Sequence, residues 1–342
     1  MNAKRGILAF FLIMVLGIFF MFGANTAQAK AIELSYSNFF PPTHIQGKLG
    51  DLWAKEIEKR TNGKVKITYY PGGALLKGPK IYDGILKGIT DIGMSVFGYS
   101  RGVFPSMEAI DLPLQYPNGR VATFVINRFY DRFKPKELSK VKVMYLHAHG
   151  PGLVHSKKPV NKLEDLRGLK IRSYGFNAKV VKALGGVPVA MGQGGVYEAL
   201  QKGVVDATFS PMEVLKGWKQ AEVIKYTIEC YSIGYTAGFY VAMNLDKWNS
   251  LPKDVQKVFD EVNALWIGKH GDAWDSIDKA GREFTLSKGN EIVPLSQAES
   301  ARWAKAVQPV FAGYIKATEG KGLPGKDYVK TLRELIRIWS KE

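Results

Sequence analysis

Leu163-Glu164-Asp165-Leu166-Arg167-Gly168-Leu169-Lys170-Ile171-Arg172, followed by Ala178 to Leu184, Val187-Pro188-Val189, Tyr197 to Lys202 and Ala207-Thr208-Phe209, is the stretch that decides the class of fold. Leu163 to Leu166 reads as a short helical turn, and Leu169 to Arg172 as a strand. A helix over 178–184, a strand at 187–189, a helix over 197–202 and a strand at 207–209 follow, with glycines at the joints. Strands separated by helices need crossover connections, so the pattern predicts an α/β domain with a largely parallel sheet.

The same alternation appears upstream. Ile32 to Ser37 alternates as a strand, and Ile45 to Arg60 carries Leu49, Leu52, Trp53 and Ile57 at helical spacing before Thr61-Asn62-Gly63 stops it. Val65 to Tyr70 is a strand closed by Pro71-Gly72-Gly73, Ile81 to Leu86 a short helix and Asp91 to Val96 a buried strand. A fourth strand, Val141 to Leu146, ends at His147-Ala148-His149-Gly150-Pro151-Gly152, after which the pattern restarts as a second sheet. Beyond Leu251, the residues Val255, Val258, Phe259, Val262, Leu265 and Trp266 form one stripe of a long helix running past Trp274 to Phe284. From Ser296 the tail is helical, broken at Gly322-Leu323-Pro324-Gly325. No fixed-period repeat and no low-complexity tract interrupts this plan.

The 342 residues suffice for two domains, and their 46% hydrophobic content excludes a disordered chain. Lys4 and Arg5 precede an apolar run from Gly6 to about Phe22, and Ala24-Asn25-Thr26-Ala27-Gln28-Ala29 follows it. That is the layout of a secretory signal peptide cleaved after Ala29, and the run is short for a membrane span. Cleavage removes two of the positive charges behind the formal net charge of +17. The charge alone does not choose among a solvated surface, small anions and an anionic membrane face, but export argues against nucleic acid, so no nucleic-acid partner is expected. The single cysteine, Cys230, excludes an internal disulfide framework and reads as a buried small hydrophobe.

Catalytic machinery is sparse. No G-x-S-x-G elbow, no G-x-x-x-x-G-K-[ST] loop and no H-E-x-x-H occurs. Gly192-Gln193-Gly194-Gly195 lacks the spacing of a dinucleotide loop. His147 and His149 share one side of a strand, yet no carboxylate cluster adjoins them, so hydrogen bonding is favoured over a metal. Neither a metal nor a cofactor is expected, and the weight shifts from catalysis to binding.

Several blocks resemble a known family. Leu52 to Ile67 followed by Tyr70-Pro71-Gly72-Gly73-Ala74-Leu75 resembles the N-terminal signature of TRAP (tripartite ATP-independent periplasmic) transporter solute-binding proteins, the DctP family. Lys158-Pro159-Val160, Leu163 to Arg172, Ala183 to Val189 and Val196 to Ala207 are similar to its central block, and Trp248-Asn249-Ser250-Leu251-Pro252 resembles the segment before its long helix. The resemblance covers essentially all of the chain after the signal peptide. It implies a two-lobe periplasmic binding protein fold with a long helix spanning both lobes. Lobe one is expected over 30–149 and 238–277, and lobe two over 150–237 and 278–342. It also implies a non-enzymatic periplasmic receptor, expected to be a monomer, that captures a small organic acid and delivers it to small and large membrane permease subunits. The alternatives are a periplasmic enzyme acting on an organic acid, which turnover of bound acid would reveal, and a receptor presenting ligand to a membrane sensor.

By the same resemblance Arg172 is the carboxylate-binding arginine, and Ser210 stands where many relatives carry Asn, able to donate to the second carboxylate oxygen. Gly152 occupies a position where the sialic-acid branch has a second arginine, and Gln193 one where that branch has an aromatic; both departures argue against sialic acid. Phe39, Phe97, Tyr99, Tyr174, Phe176, Met191, Met212 and Tyr235, with His149 as a polar member, are the expected surroundings. Together they favour a monocarboxylate with an apolar, aromatic or lightly hydroxylated remainder. Glu213 could hold a cation beside the carboxylate, but a solvated or salt-bridged acid is the stronger reading.

Overall fold

The computed structural model describes residues 30–341, so the expected signal peptide and its cleavage site lie outside the described residues. The first sheet begins with the anticipated strands β1 (Ile32–Asn38), β2 (Val65–Tyr70), β3 (Ile92–Val96) and β4 (Val141–Ala148), with helices α1 (Ile45–Arg60), α2 (Ile81–Leu86) and α3 (Gly119–Phe133) between them. A second sheet takes β5 (Gly152–Ser156), β6 (Lys170–Ser173), β7 (Val187–Ala190), β8 (Ala207–Pro211) and β9 (Tyr226–Glu229), interleaved with α4 (Asn177–Ala183), α5 (Val196–Gln201) and α6 (Val214–Gly217). β10 (Gly238–Asn244) returns to the first sheet, and α7 (Leu245–Ser250) and α8 (Lys253–Ser287) follow. β11 (Glu291–Pro294) joins the second sheet before α9 (Gln297–Ala306), α10 (Gln308–Glu319) and α11 (Gly325–Trp339). Among the described residues no helix is long and apolar enough to cross a membrane.

The sheets run in the orders β2-β1-β3-β10-β4 and β11-β9-β5-β8-β6-β7. β1 pairs parallel with β3, and β6 pairs parallel with both β7 and β8. β10 is antiparallel to β3 and β4, and β5 is antiparallel to β8 and β9. Both sheets are therefore mixed, which corrects the expectation of largely parallel ones. The exceptions are the strands that the chain enters directly after crossing between sheets, with no crossover helix to turn it into a parallel neighbour. The two crossings touch: Gly152 N donates to Tyr235 O at 2.8 Å.

At 1.5 Å per residue the 35-residue α8 is about 52 Å long. It packs on α1, α3 and β4 of the first lobe and on α6 and β11 of the second. Val255, Phe259, Val262, Trp266 and Trp274 are buried, but Leu265 is 49% exposed, because it falls one position off the stripe those residues define. At Gly281 a Cβ would lie 2.3 Å from Met212 O, so only glycine lets the second lobe press against the helix there.

The tail is shared between the lobes rather than belonging wholly to the second. α9 contacts the 163–166 turn and α10 contacts α4, while α11 packs on α3. Tyr328 meets Phe129 and Phe133 at 5.3 and 4.6 Å, and Trp339 stacks on Phe124 at 4.8 Å. The apolar face of α11 finds its cover on the first lobe.

Candidate functional site

Arg172 and Thr208 face each other in the parallel pairing of β6 with β8, and Ser210 lies two residues further along β8, on the same face. Arg172 is only 2% exposed. Its Nη1 donates to Ser210 Oγ at 3.1 Å and its Nε to Met191 O at 3.2 Å, and its guanidinium carbon lies 4.7 Å from the centre of the Tyr174 ring. Nη2 is buried with no hydrogen-bond partner. Both partners of this cation are neutral, and a buried charge without a counter-ion is costly. Chemically, Nη2 is a charged donor free to bond an anion.

A small cavity of about 20 Å³ lies beside it between the two sheets. The first lobe contributes Phe39, Phe40, Val96, Tyr99, His149 and Phe239; the second adds Tyr174, Gln193, Ser210, Pro211, Glu213, Val214 and Trp218 to Arg172. The walls are aromatic. Phe39 stacks on Phe40 at 4.5 Å and runs nearly parallel to Trp218 and Phe239, at 19° and 15°. A wider cleft of about 570 Å³ shares Phe39, Tyr99, Gln193 and Trp218 with the cavity and is rimmed by Lys77, Pro79 and Met191. Met191 thus contributes its carbonyl to Arg172 and its position to the mouth.

Two polar bonds join the lobes at this cavity. His44 Nε2 and Glu213 Oε2 are 2.8 Å apart in a pair whose side chains are 0% and 4% exposed. His44 stands at the head of α1 because its Nδ1 accepts from Gln46 N, and that leaves Nε2 to donate across the gap. The second bond runs from Gln193 N to Tyr99 Oη at 2.9 Å. Close by, a Cβ on Gly175, whose φ is +50°, would come within 2.8 Å of Gly98 Cα. Glu213 is therefore a hydrogen-bonded acid whose Oε2 accepts from His44 Nε2, and among the described residues no cluster of three or more His, Cys, Asp or Glu could hold a metal.

Of the residues expected from the sequence, Arg172, Ser210, His149, Phe39, Tyr99 and Tyr174 are brought together around the cavity. Phe97, Met212 and Tyr235 are not. Phe97 turns into the first lobe's core, 5.0 Å from Phe104 and 5.1 Å from Tyr240. Met212 lines a separate cleft with Pro117, Asp275 and Arg282. Tyr235 is fully buried, donates to Phe209 O at 2.8 Å and stands edge-on to His149 at 5.4 Å, so it backs the histidine instead of lining the cavity. Phe176 packs on Tyr314, also in the core. The residues missed are Phe40, Phe239, Trp218 and His44. Phe40 adjoins Phe39, which was a usable signal; Phe239 sits in a continuous apolar run with no alternation to read. Nothing in the sequence flagged Trp218 or His44.

The family model of bacterial extracellular solute-binding proteins, family 7 (DctP), matches residues 36–317. The chain belongs to this family of TRAP solute-binding proteins. A marine metagenome TRAP solute-binding protein specific for aromatic acid ligands, in complex with metahydroxyphenylacetate, is similar at a TM-score of 0.85 and 30% identity, covering 90% of this chain and 99% of that one. A TRAP solute-binding protein from Rhodoferax ferrireducens T118, in complex with copurified benzoate, matches at a TM-score of 0.85 and 27% identity over 91% of this chain and 99% of its own. The C4-dicarboxylate-binding periplasmic protein DctP of Rhodobacter capsulatus is 27% identical over 302 residues, 83% of this chain and 86% of the relative. As a DctP-family member the chain has the two-sheet α/β periplasmic binding protein fold with a long helix contacting both lobes, and it is a binding protein rather than an enzyme.

Proposed function

We propose that this chain is the periplasmic receptor of a TRAP transporter that captures a small monocarboxylate with an aromatic or apolar remainder. Its signal peptide is cleaved after Ala29, and the monomer hands its ligand to small and large membrane permease subunits. The observation that carries the reading is Arg172 Nη2, a buried guanidinium donor without a partner in an aromatic-walled cavity. A planar fork fits two carboxylate oxygens, and the dry surroundings strengthen the bonds. Ser210 Oγ, already beside Nη1, is within the same reach.

Charge narrows the ligand. Arg172 is the single lysine or arginine lining the cavity among the described residues, and Glu213 lines it too. A second carboxylate inside would face an acid. The benzoate and hydroxyphenylacetate of the structural relatives are acids of this kind. A thermal-shift screen against aromatic and aliphatic monocarboxylates and dicarboxylates tests the proposal, since a ligand of the folded state raises its stability by mass action. Aromatic monocarboxylates should give the largest shifts. A decisive preference for a dicarboxylate, with its far end reaching Lys77 at the outer cleft, would overturn the monocarboxylate reading.

A further inference from the structure

Four cavity-lining side chains carry a buried polar atom without a partner: Arg172 Nη2, Trp218 Nε1, Gln193 Nε2 and His149 Nε2. The first three are N–H donors and suit a carboxylate. The fourth is of the opposite kind. His149 Nδ1 lies 2.5 Å from Gly150 O, and a carbonyl only accepts, so the ring proton sits on Nδ1. In the neutral imidazole Nε2 is then a bare lone pair. Burial pushes the imidazole down to about 4, against the bond to Gly150 O and with the nearby Arg172 charge adding to the depression, so the ring is neutral at ordinary pH. None of its aromatic neighbours supplies a proton: Tyr235 Oη is committed to Phe209 O, Trp274 Nε1 donates to His147 Nδ1, and Phe239 has none to give.

Resting on the carboxylate reading above, we infer that the ligand is a hydroxy acid whose hydroxyl donates to His149 Nε2 while its carboxylate takes Arg172. The two groups have complementary demands within one cavity. A hydroxyl satisfies an acceptor that would otherwise be buried unpaired, whereas an ammonium donor would bring a second positive charge up to the Arg172 guanidinium. A site built to bond a hydroxyl rejects the analogue lacking it far more strongly than a missing methylene would be rejected. His149 is in this account the residue that sets specificity, and Tyr235 holds its ring in place from behind.

The test uses calorimetric titration of the mature chain with matched series: benzoate, its three ring-hydroxyl isomers and their methyl ethers, and phenylacetate, mandelate and O-methylmandelate. At least one hydroxylated acid should bind about tenfold or more tighter than both its parent and its ether, the ether carrying an oxygen but no donor. In His149→Phe the hydroxyl preference should collapse, each hydroxylated acid binding no tighter than its own parent and its ether. Equal affinity for every parent and its hydroxylated forms, as expected if solvent satisfies Nε2, would overturn the inference and leave the carboxylate reading intact. So would a preference surviving in His149→Phe. If no acid in either series bound, the carboxylate reading would fall and take the inference with it. Should the variant not fold, the wild-type series decides alone.

Discussion

Replacing Arg172 by methionine keeps most of the buried side-chain volume and removes the guanidinium. That group is 2% exposed and bonds to two neutral acceptors, Ser210 Oγ and Met191 O. Each such bond is worth roughly 1.5–3 kcal/mol, and burying an uncompensated cation costs several kcal/mol in the other direction. The two effects nearly cancel, so Arg172→Met should leave unliganded stability within about 2 kcal/mol of wild type. Binding should respond quite differently. A carboxylate left in the cavity without its partner loses about 2 to 5 kcal/mol. At a ligand concentration about 1,000 times the wild-type Kd, wild type gains about 4 kcal/mol from ligand, and the variant between about 2 and about 0.1. With roughly 2 °C per kcal/mol for a chain of this size, the shift in Tm falls from about 8 °C to about 4 °C or less. Differential scanning fluorimetry reads both numbers. A variant that keeps the full ligand shift would refute the role assigned to Arg172. A variant whose unliganded Tm drops by more than about 10 °C would show that the guanidinium holds the fold instead.

Three further perturbations follow from the same geometry. Tyr99→Phe leaves Gln193 N–H without its acceptor when the lobes meet; affinity should fall roughly 5- to 100-fold by calorimetry, and an unchanged Kd would mean that the bond plays no part in closure. His155, buried between Thr227 Oγ1 and the carbonyls of Ser210 and Pro211, is pushed down to about 4, chiefly by burial. Below about pH 6.5 the unfolded chain takes up a proton that the fold refuses until about pH 4, so wild type should lose about 3 kcal/mol relative to His155→Gln over that interval. Parallel urea titration curves for the two proteins from pH 7 to 4 would contradict the assignment. Gly152→Ala would set a Cβ 1.8 Å from the Tyr235 ring; a loss of about 1–3 kcal/mol or more on chemical denaturation is expected, and a neutral outcome would mean that the crossing is looser than drawn.

That glycine also explains part of what the sequence could and could not convey. The strand-helix alternation of 163–209 was legible because each element there is short, local and bounded by glycine, and the observed elements fall within a residue or two of the expected ones. β10 was not legible: Gly238 to Met243 is buried throughout, so it has no alternation and looks like any apolar run. β5 was hidden because Gly150-Pro151-Gly152 reads as a stop, whereas in the fold it is the crossing point, with Gly152 against Tyr235. The placement of Arg172 and Ser210 beside one cavity is what the resemblance of their surroundings implied. Tyr235 and Phe97 were misplaced because an aromatic beside a cavity residue in sequence can point to either face of a sheet, and here the faces were set by Gly152 and by Phe104. His44 and Glu213 stand 169 residues apart, and only the meeting of the lobes pairs them. Local pattern carries no trace of such a pair.

The central claim is that Arg172 grips the anionic head of the ligand. A crystal structure of the mature protein with a bound aromatic monocarboxylate tests it most directly. The account predicts carboxylate oxygens about 2.7–2.9 Å from Arg172 nitrogens, Nη2 among them, with the ring against the aromatic walls of the cavity. A carboxylate directed toward the outer cleft, with Arg172 still bonded to Ser210 and Met191 alone, would contradict it.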